Sequence, residues 1–243
     1  MSIKLSAIAL GITLAYGATA ALAADTATVY QQGNDNSATI EQFDNNTATA
    51  TITSLGNGND STIEQEDSSS VWGTILATGN NNDGVITQDH VRDSMATINQ
   101  FASGGDATIT QGGTYSGGWG WFGHGSWTNG ENLYATINQY SGWGNVATID
   151  QTGKKATATV NQSGYNNLAD INQHGNGAAY ITATLSQSGH GNDGYIDQKG
   201  SSLLATVSQT GNYNDAIVMQ SGTNKIATVT QFGNNNYSYV DQR

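Results

Sequence analysis

Residues 31–42 read QQGNDNSATIEQ, and residues 162–173 read QSGYNNLADINQ. Both fit Q-x-G-x-x-N-x-A-x-I-x-Q. Working outward from them, a β-branched residue or Leu that follows Ala-x, Ser-x or Gly-x recurs at Val29, Ile40, Ile52, Ile63, Ile75, Ile86, Ile98, Ile109, Ile137, Ile149, Val160, Ile171, Leu185, Ile196, Val207, Val218, Val229 and Val240. Sixteen of these eighteen are followed two residues later by Gln: Gln31, Gln42, Gln65, Gln88, Gln100, Gln111, Gln139, Gln151, Gln162, Gln173, Gln187, Gln198, Gln209, Gln220, Gln231 and Gln242. Ser54 and Ala77 occupy the other two places. Gly often sits two residues past that place, as at Gly33, Gly56, Gly164, Gly211 and Gly233, with Asn three further on at Asn36, Asn59, Asn167, Asn214 and Asn236. Self-similarity this dense is the mark of a repeat architecture.

Within each unit the alternation has period 2, which specifies a short strand. Ala27, Val29 and Gln31 share one face, while Thr28 and Tyr30 share the other. The Gly-x-x-Asn segment supplies the backbone freedom and side-chain bonding of a tight reversal. Apolar residues do not recur at helical spacing. The gaps between units are 11 or 12 residues, apart from 28 after Ile109 and 14 after Ile171. Taken two at a time, the units give an all-β fold, a β-solenoid of nine strand–turn–strand–turn coils, with both long connections on one edge. At about 4.8 Å per coil the stack is on the order of 43 Å long.

Stacking places equivalent residues in columns. A buried amide is costly unless bonded, and Gln above Gln solves this by donating to its neighbour's carbonyl. Glu could not replace it, because stacked carboxylates repel. The sixteen Gln are therefore expected to form a core ladder. The first strand opens by Ala27, and the last contains Val240 and Gln242, so both ends are expected to be uncapped. Ala27, Val29, Gln31, Val229, Gln231, Val240 and Gln242 would then be polymerisation edges, because an unpaired strand edge is a template for another copy.

Composition narrows the function. The chain has 243 residues, 19 Asp or Glu against 7 Lys or Arg, a formal charge of -12, and no Cys or Pro. Such an acidic surface repels phosphate backbones and argues against nucleic-acid binding. The absence of Cys removes disulfides, thiolate nucleophiles and Cys-based metal sites together. Lys4, the apolar run Leu5–Leu14 and Ala21-Leu22-Ala23 form a secretory signal peptide over residues 1–23, which leaves a repeat domain over 24–243.

The Q-x-G-x-x-N-x-A-x-I-x-Q pattern of Gln31–Gln42 and Gln162–Gln173 closely resembles the curlin repeat, and the resemblance covers Ala27–Arg243. It implies a subunit of curli, the extracellular amyloid fibres of bacterial biofilms. It further implies export through the outer-membrane curli secretion machinery, nucleation at the cell surface by a nucleator subunit, and roles in adhesion, cell aggregation and matrix formation. The chain departs from the family pattern in having more repeats and in starting its first repeat directly after the leader. The alternatives are a minor nucleator of the same fibre, or a monomeric Thr-faced adhesin or ice-binding protein.

The outward residues bear on those alternatives. Thr28, Thr51, Thr74, Thr97, Thr136, Thr159, Thr184, Thr206 and Thr228 form one unbroken column, while the next column is mixed. Thr is a good solvent-facing strand residue, and that reading outweighs ice binding. Glu41, Glu64, Asp150, Asp197 and Asp241 share an outer column of the second strand, where charge opposes lateral sheet stacking. A Gly-rich insertion over residues 112–134 carries Trp119, Trp121, Phe122 and Trp127, either as a surface-binding loop or as an aromatic cluster on the ribbon edge. His90, His124, His174 and His190 fall at inconsistent repeat positions, so neither a metal nor another cofactor is expected, and no catalytic constellation is present.

Overall fold

The computed structural model describes residues 25–116 and 126–243; the expected signal peptide lies outside them. Every regular element among the described residues is a strand. Coil 1 is β1 (Thr26–Asn34) and β2 (Ser37–Phe43), and coil 2 is β3 (Asn46–Asn57) and β4 (Asp60–Glu66). Coil 3 is β5 (Ser69–Asn80) and β6 (Asp83–Asp89), and coil 4 is β7 (Val91–Gln100) and β8 (Asp106–Gly112). A short antiparallel pair, β9 (Thr114–Ser116) and β10 (Ser126–Thr128), precedes β11 (Gly130–Trp143). β12 (Val146–Tyr165), β13 (Leu168–His190), β14 (Asp193–Asn212), β15 (Asp215–Asn234) and β16 (Tyr237–Gln242) complete coils 5 to 9.

All inter-coil pairing is parallel, and the core columns stay in register, with shifts between Gln139 and Ser141, Lys154 and Ala156, and Gly175 and Ile181. Val29 lies on Ile52, Ile52 on Ile75 and Ile75 on Ile98, and the series continues through Ile137, Val160, Leu185 and Val207 to Val229. The second strand runs likewise from Ile40 through Ile109 and Ile149 to Val240. The β-branched residues of coils 2 to 8 are fully buried, whereas Val29, Ile40 and Val240 in the end coils are only partly covered. Each coil thus hides its apolar face against its neighbours, as a stacked repeat must.

Three details depart from the sequence reading. First, a turn interrupts only the first corner throughout. In coils 5 to 9 the chain passes from coil to coil without leaving the sheet, giving strands of 20 to 23 residues. Residues such as Lys155, Ser202 and Asn224 take positive φ there and bend the chain while pairing continues on both sides. Second, the insertion is narrower than 112–134. Gly112 ends β8, and Leu133 and Tyr134 already pair with Ala156 and Thr157. Third, a second apolar column lines the inter-coil corner: Ala48, Val71, Val91, Leu133, Ala156, Ile181 and Leu203, all buried. Most of its members lie four residues before the first-strand β-branched residue, where period-2 alternation continues the inward face upstream.

The Gly of the first corner stacks on itself. Gly56 has φ of 122°, and a Cβ there would overlap the carbonyl oxygen of Gly79 in the coil below. Coils approach at this corner with backbone on backbone, which leaves no room for a side chain.

Candidate functional site

The Gln side chains fall into two ladders, one per strand. The second-strand ladder has no break. Gln42 Nε2 donates to Gln65 Oε1 at 2.8 Å, and the same bond repeats through Gln88, Gln111, Gln151, Gln173, Gln198 and Gln220 to Gln242, always at 2.8 or 2.9 Å. Each Nε2 from Gln65 onward also donates to a carbonyl sixteen or seventeen residues earlier, such as Gln151 to Tyr134 O at 3.0 Å. Every amide therefore points the same way along the axis.

The first-strand ladder is interrupted. It is continuous from Gln100 through Gln139, Gln162, Gln187 and Gln209 to Gln231, at 2.9 to 3.2 Å. Between Gln31 and Gln100 the column holds Ser54 and Ala77. Two buried polar atoms lack a partner among the described residues, and they flank that gap: Gln31 Nε2, which faces Ser54, and Gln100 Oε1, which lies beneath Ala77.

Turn Asn residues build a third ladder of opposite sense. Asn59 Nδ2 donates back to Asn36 Oδ1, and Asn167, Asn192, Asn214 and Asn236 each repeat this onto the preceding coil. The Nδ2 groups of Asn36, Asn59, Asn167, Asn192 and Asn214 also donate forward to the stacked Gly carbonyls. Asn82 and Asn145 also belong to this set. Asn82 holds the regular place three residues past Gly79, whereas a register shift between Gln139 and Ser141 displaces Asn145 by one residue. In coil 4 Gly105 takes the place of Asn, and its N–H donates to Asn82 Oδ1 at 3.1 Å.

The end coils pair on one side only among the described residues. β1 and β2 pair with β3 and β4, and coil 9 pairs with coil 8. Of the edge residues, Ala27 is exposed, Val29, Gln31, Val240 and Gln242 are half-buried, and Val229 and Gln231 are buried. Gln242 Nε2 bonds to Ile226 O within its own coil and has no amide beyond it.

The outer face carries the acids. Asp60, Asp83 and Asp106 stack in register, as do Asp193 and Asp215. Burial, then Asp106 and Asp60, hold Asp83 above the ordinary aspartate value of 3.8. Burial likewise raises Asp150, Asp193, Asp170 and Asp197, with Asp215 adding to Asp193 and with Asp150, Asp193 and Asp197 adding to Asp170. A folded-state value above the unfolded one means that the native state holds protons more tightly, so this contribution to stability falls as pH rises above 3.8. The melting midpoint of the monomer is therefore expected to drop between about pH 4 and pH 7. A scanning-calorimetry series that is flat or rising over that interval would contradict it.

The insertion is only partly described. Trp119, Trp121, Phe122 and His124 lie outside the described residues. Trp127 stacks on His90 with ring centroids 4.2 Å apart, and His90 Nε2 lies 3.4 Å from Asp67 Oδ2. That Trp rests on the edge of the stack. His174 lies 2.8 Å from the Thr152 hydroxyl, and His190 meets Tyr213 edge to face. The Thr column from Thr28 to Thr228 is in register throughout.

The family model of the curlin associated repeat matches residues 181–211 and 211–243. No curated protein matches the chain. The matched segments are coils 7 to 9, whose columns of Ala, β-branched residue and Gln continue upward on the second strand to coil 1 in the same register. The chain therefore carries curlin associated repeats over residues 181–243, within a stack whose second-strand columns keep one register through to coil 1.

Proposed function

We propose that the chain is a secreted structural subunit that stacks end to end into an extracellular curli-type amyloid fibre serving biofilm matrix, adhesion and cell aggregation. The curlin associated repeats matched over residues 181–243 support a fibre subunit outside the cell. In this reading residues 1–23 are the export signal, residues 24–243 the polymerising unit, and the partners are further copies, a nucleator and the secretion machinery.

One observation carries the reading. The Gln ladders run in a single direction, so on the second strand coil 1 ends in the acceptor Gln42 Oε1, while coil 9 ends in donors at Gln231 and Gln242. The Asn ladder runs in reverse, with Asn236 Oδ1 as the acceptor on coil 9 and Asn36 Nδ2 as a donor on coil 1. The two faces therefore complement each other, and a contact that does not close by rotation propagates as a filament.

Purified chain should assemble after a lag that seeds abolish, giving thioflavin-positive filaments in the electron microscope. A chain that stays monomeric for days at tens of micromolar (on the order of the concentrations at which exposed strand edges associate) would sink the reading. Gln42→Ala and Gln242→Ala should each slow seeded elongation about three- to tenfold, the worth of one net hydrogen bond. They should lower the monomer's melting midpoint less than Gln111→Ala does. Equal elongation rates for all three variants would argue against growth through the end coils.

A further inference from the structure

Charge is spread unevenly along the stack. Residues 25–89 carry ten Asp or Glu and no Lys or Arg, whereas residues 90–243 carry nine acids against six bases. The end coils contrast. Coil 1 has Asp25, Asp35, Glu41 and Asp44 and no base, while coil 9 has Lys225 and Arg243 against Asp241 alone. Two N-terminal faces brought together would oppose carboxylate to carboxylate, which penalises that contact.

The apolar corner column makes the match specific. Its interior members include Ala48, Val71, Leu133, Ala156, Ile181 and Leu203. At the first coil its place is taken by Asp25, whose Oδ1 accepts the Ala48 N–H at 2.8 Å, and at the last coil by Lys225, which pairs in register with Leu203. Opposite charges thus close the two ends of one apolar column. A second copy placed one coil step beyond coil 9 brings its Asp25 onto Lys225, its Gln31 onto Gln231 and its Gln42 onto Gln242. Its Glu41 then falls on Asp241, and Arg243, whose Nε lies 3.1 Å from that carboxylate, offsets the repulsion. A slip of one residue either way turns each inward side chain outward and breaks all of these pairs.

Building on the end-to-end reading, we infer that the acidic N-terminal face takes as its partner the basic C-terminal face of a second copy. The two dock in the register of the internal coils, with Lys225 of one copy against Asp25 of the next. The fibre is then polar, and head-to-head contacts are rejected.

The test is a charge-reversal cycle on self-seeded elongation of the full chain at low ionic strength. Lys225→Glu and Asp25→Lys should each slow elongation about tenfold, and the double variant should return to within about threefold of wild type. Asp25→Asn keeps an acceptor for the Ala48 N–H. Paired with Lys225→Met, it should give a double variant no slower than the slower single, free of the local folding loss. Wild-type fibres combined with additive slowing in both cycles would overturn the inference and leave the parent reading intact. A wild-type chain that forms no fibre overturns both.

Discussion

Gln151→Glu is expected to unfold the centre of the stack at neutral pH and to spare it in acid. Gln151 is fully buried, accepts from Gln111 at 2.9 Å, and donates to Gln173 Oε1 at 2.9 Å and to Tyr134 O at 3.0 Å. A carboxylate could still accept from Gln111, but it would leave two acceptors unpaired and place a charge among carbonyl oxygens. Breaking a buried, hydrogen-bonded set in this way costs about 3–5 kcal/mol. The new carboxyl would titrate above the ordinary glutamate value of about 4.3, because burial disfavours its charged form. Below that value it is neutral folded or unfolded and can donate one bond, so the charge penalty disappears and only one acceptor stays unpaired. It grows as pH rises through the raised value. Denaturant unfolding of the variant and wild type at about pH 4 and pH 7.5 would show a large difference only at the higher pH, the carboxyl being charged only there. Matching midpoints at pH 7.5 would remove the amide column from the forces that hold the fold.

The reverse experiment repairs a defect the molecule already carries. Replacing Ser54 and Ala77 together with Gln would give Gln31 Nε2 an acceptor and Gln100 Oε1 a donor, making the first-strand ladder continuous over all nine coils. The space has precedents in the same fold. Gln231 sits beside Ser238 with Nε2 3.1 Å from its hydroxyl, the place that Ser61 fills beside Ser54. Gln187 shares its coil with Gly194, as position 77 does with Gly84. Each unsatisfied buried group costs about 1–3 kcal/mol, and fixing a Gln side chain returns part of that. A net gain of about 2 kcal/mol is expected, read as a higher denaturation midpoint. Ala77→Gln alone should yield roughly half of it. A destabilised double variant would mean that coils 2 and 3 have closed around their small residues.

The residues that made the fold legible are those whose chemistry admits little substitution. The β-branched residue and the Gln two places later recur because each must stack on its own kind, so their spacing yields the coil count and the strand pairing. The corner column was harder to see because any apolar residue suffices there. Ala48, Val71 and Leu133 share no type, and in coil 4 the upstream position is Ser94, buried together with Val91 three residues before it. The order of residues marks the ladder's gap at Ser54 and Ala77 but not its consequence. Which atom is left unpaired depends on the direction of the amides, and a Gln in sequence has no direction. The charge match between Lys225 and Asp25 was hidden for a related reason: each is an exception within a column that was itself unrecognised.

Nine carboxamides bonded nose to tail behave as a wire of small dipoles, each sharpening the next, so that a hydrogen-bonded chain strengthens cooperatively as it lengthens. If copies stack end to end as proposed, joining two molecules doubles the length of that wire, and a later arrival at coil 9 meets a terminal donor polarised by all the amides behind it. In the proposed fibre the earliest encounter would then be the feeblest, and a mature tip would hold a newcomer more firmly than a solitary molecule does.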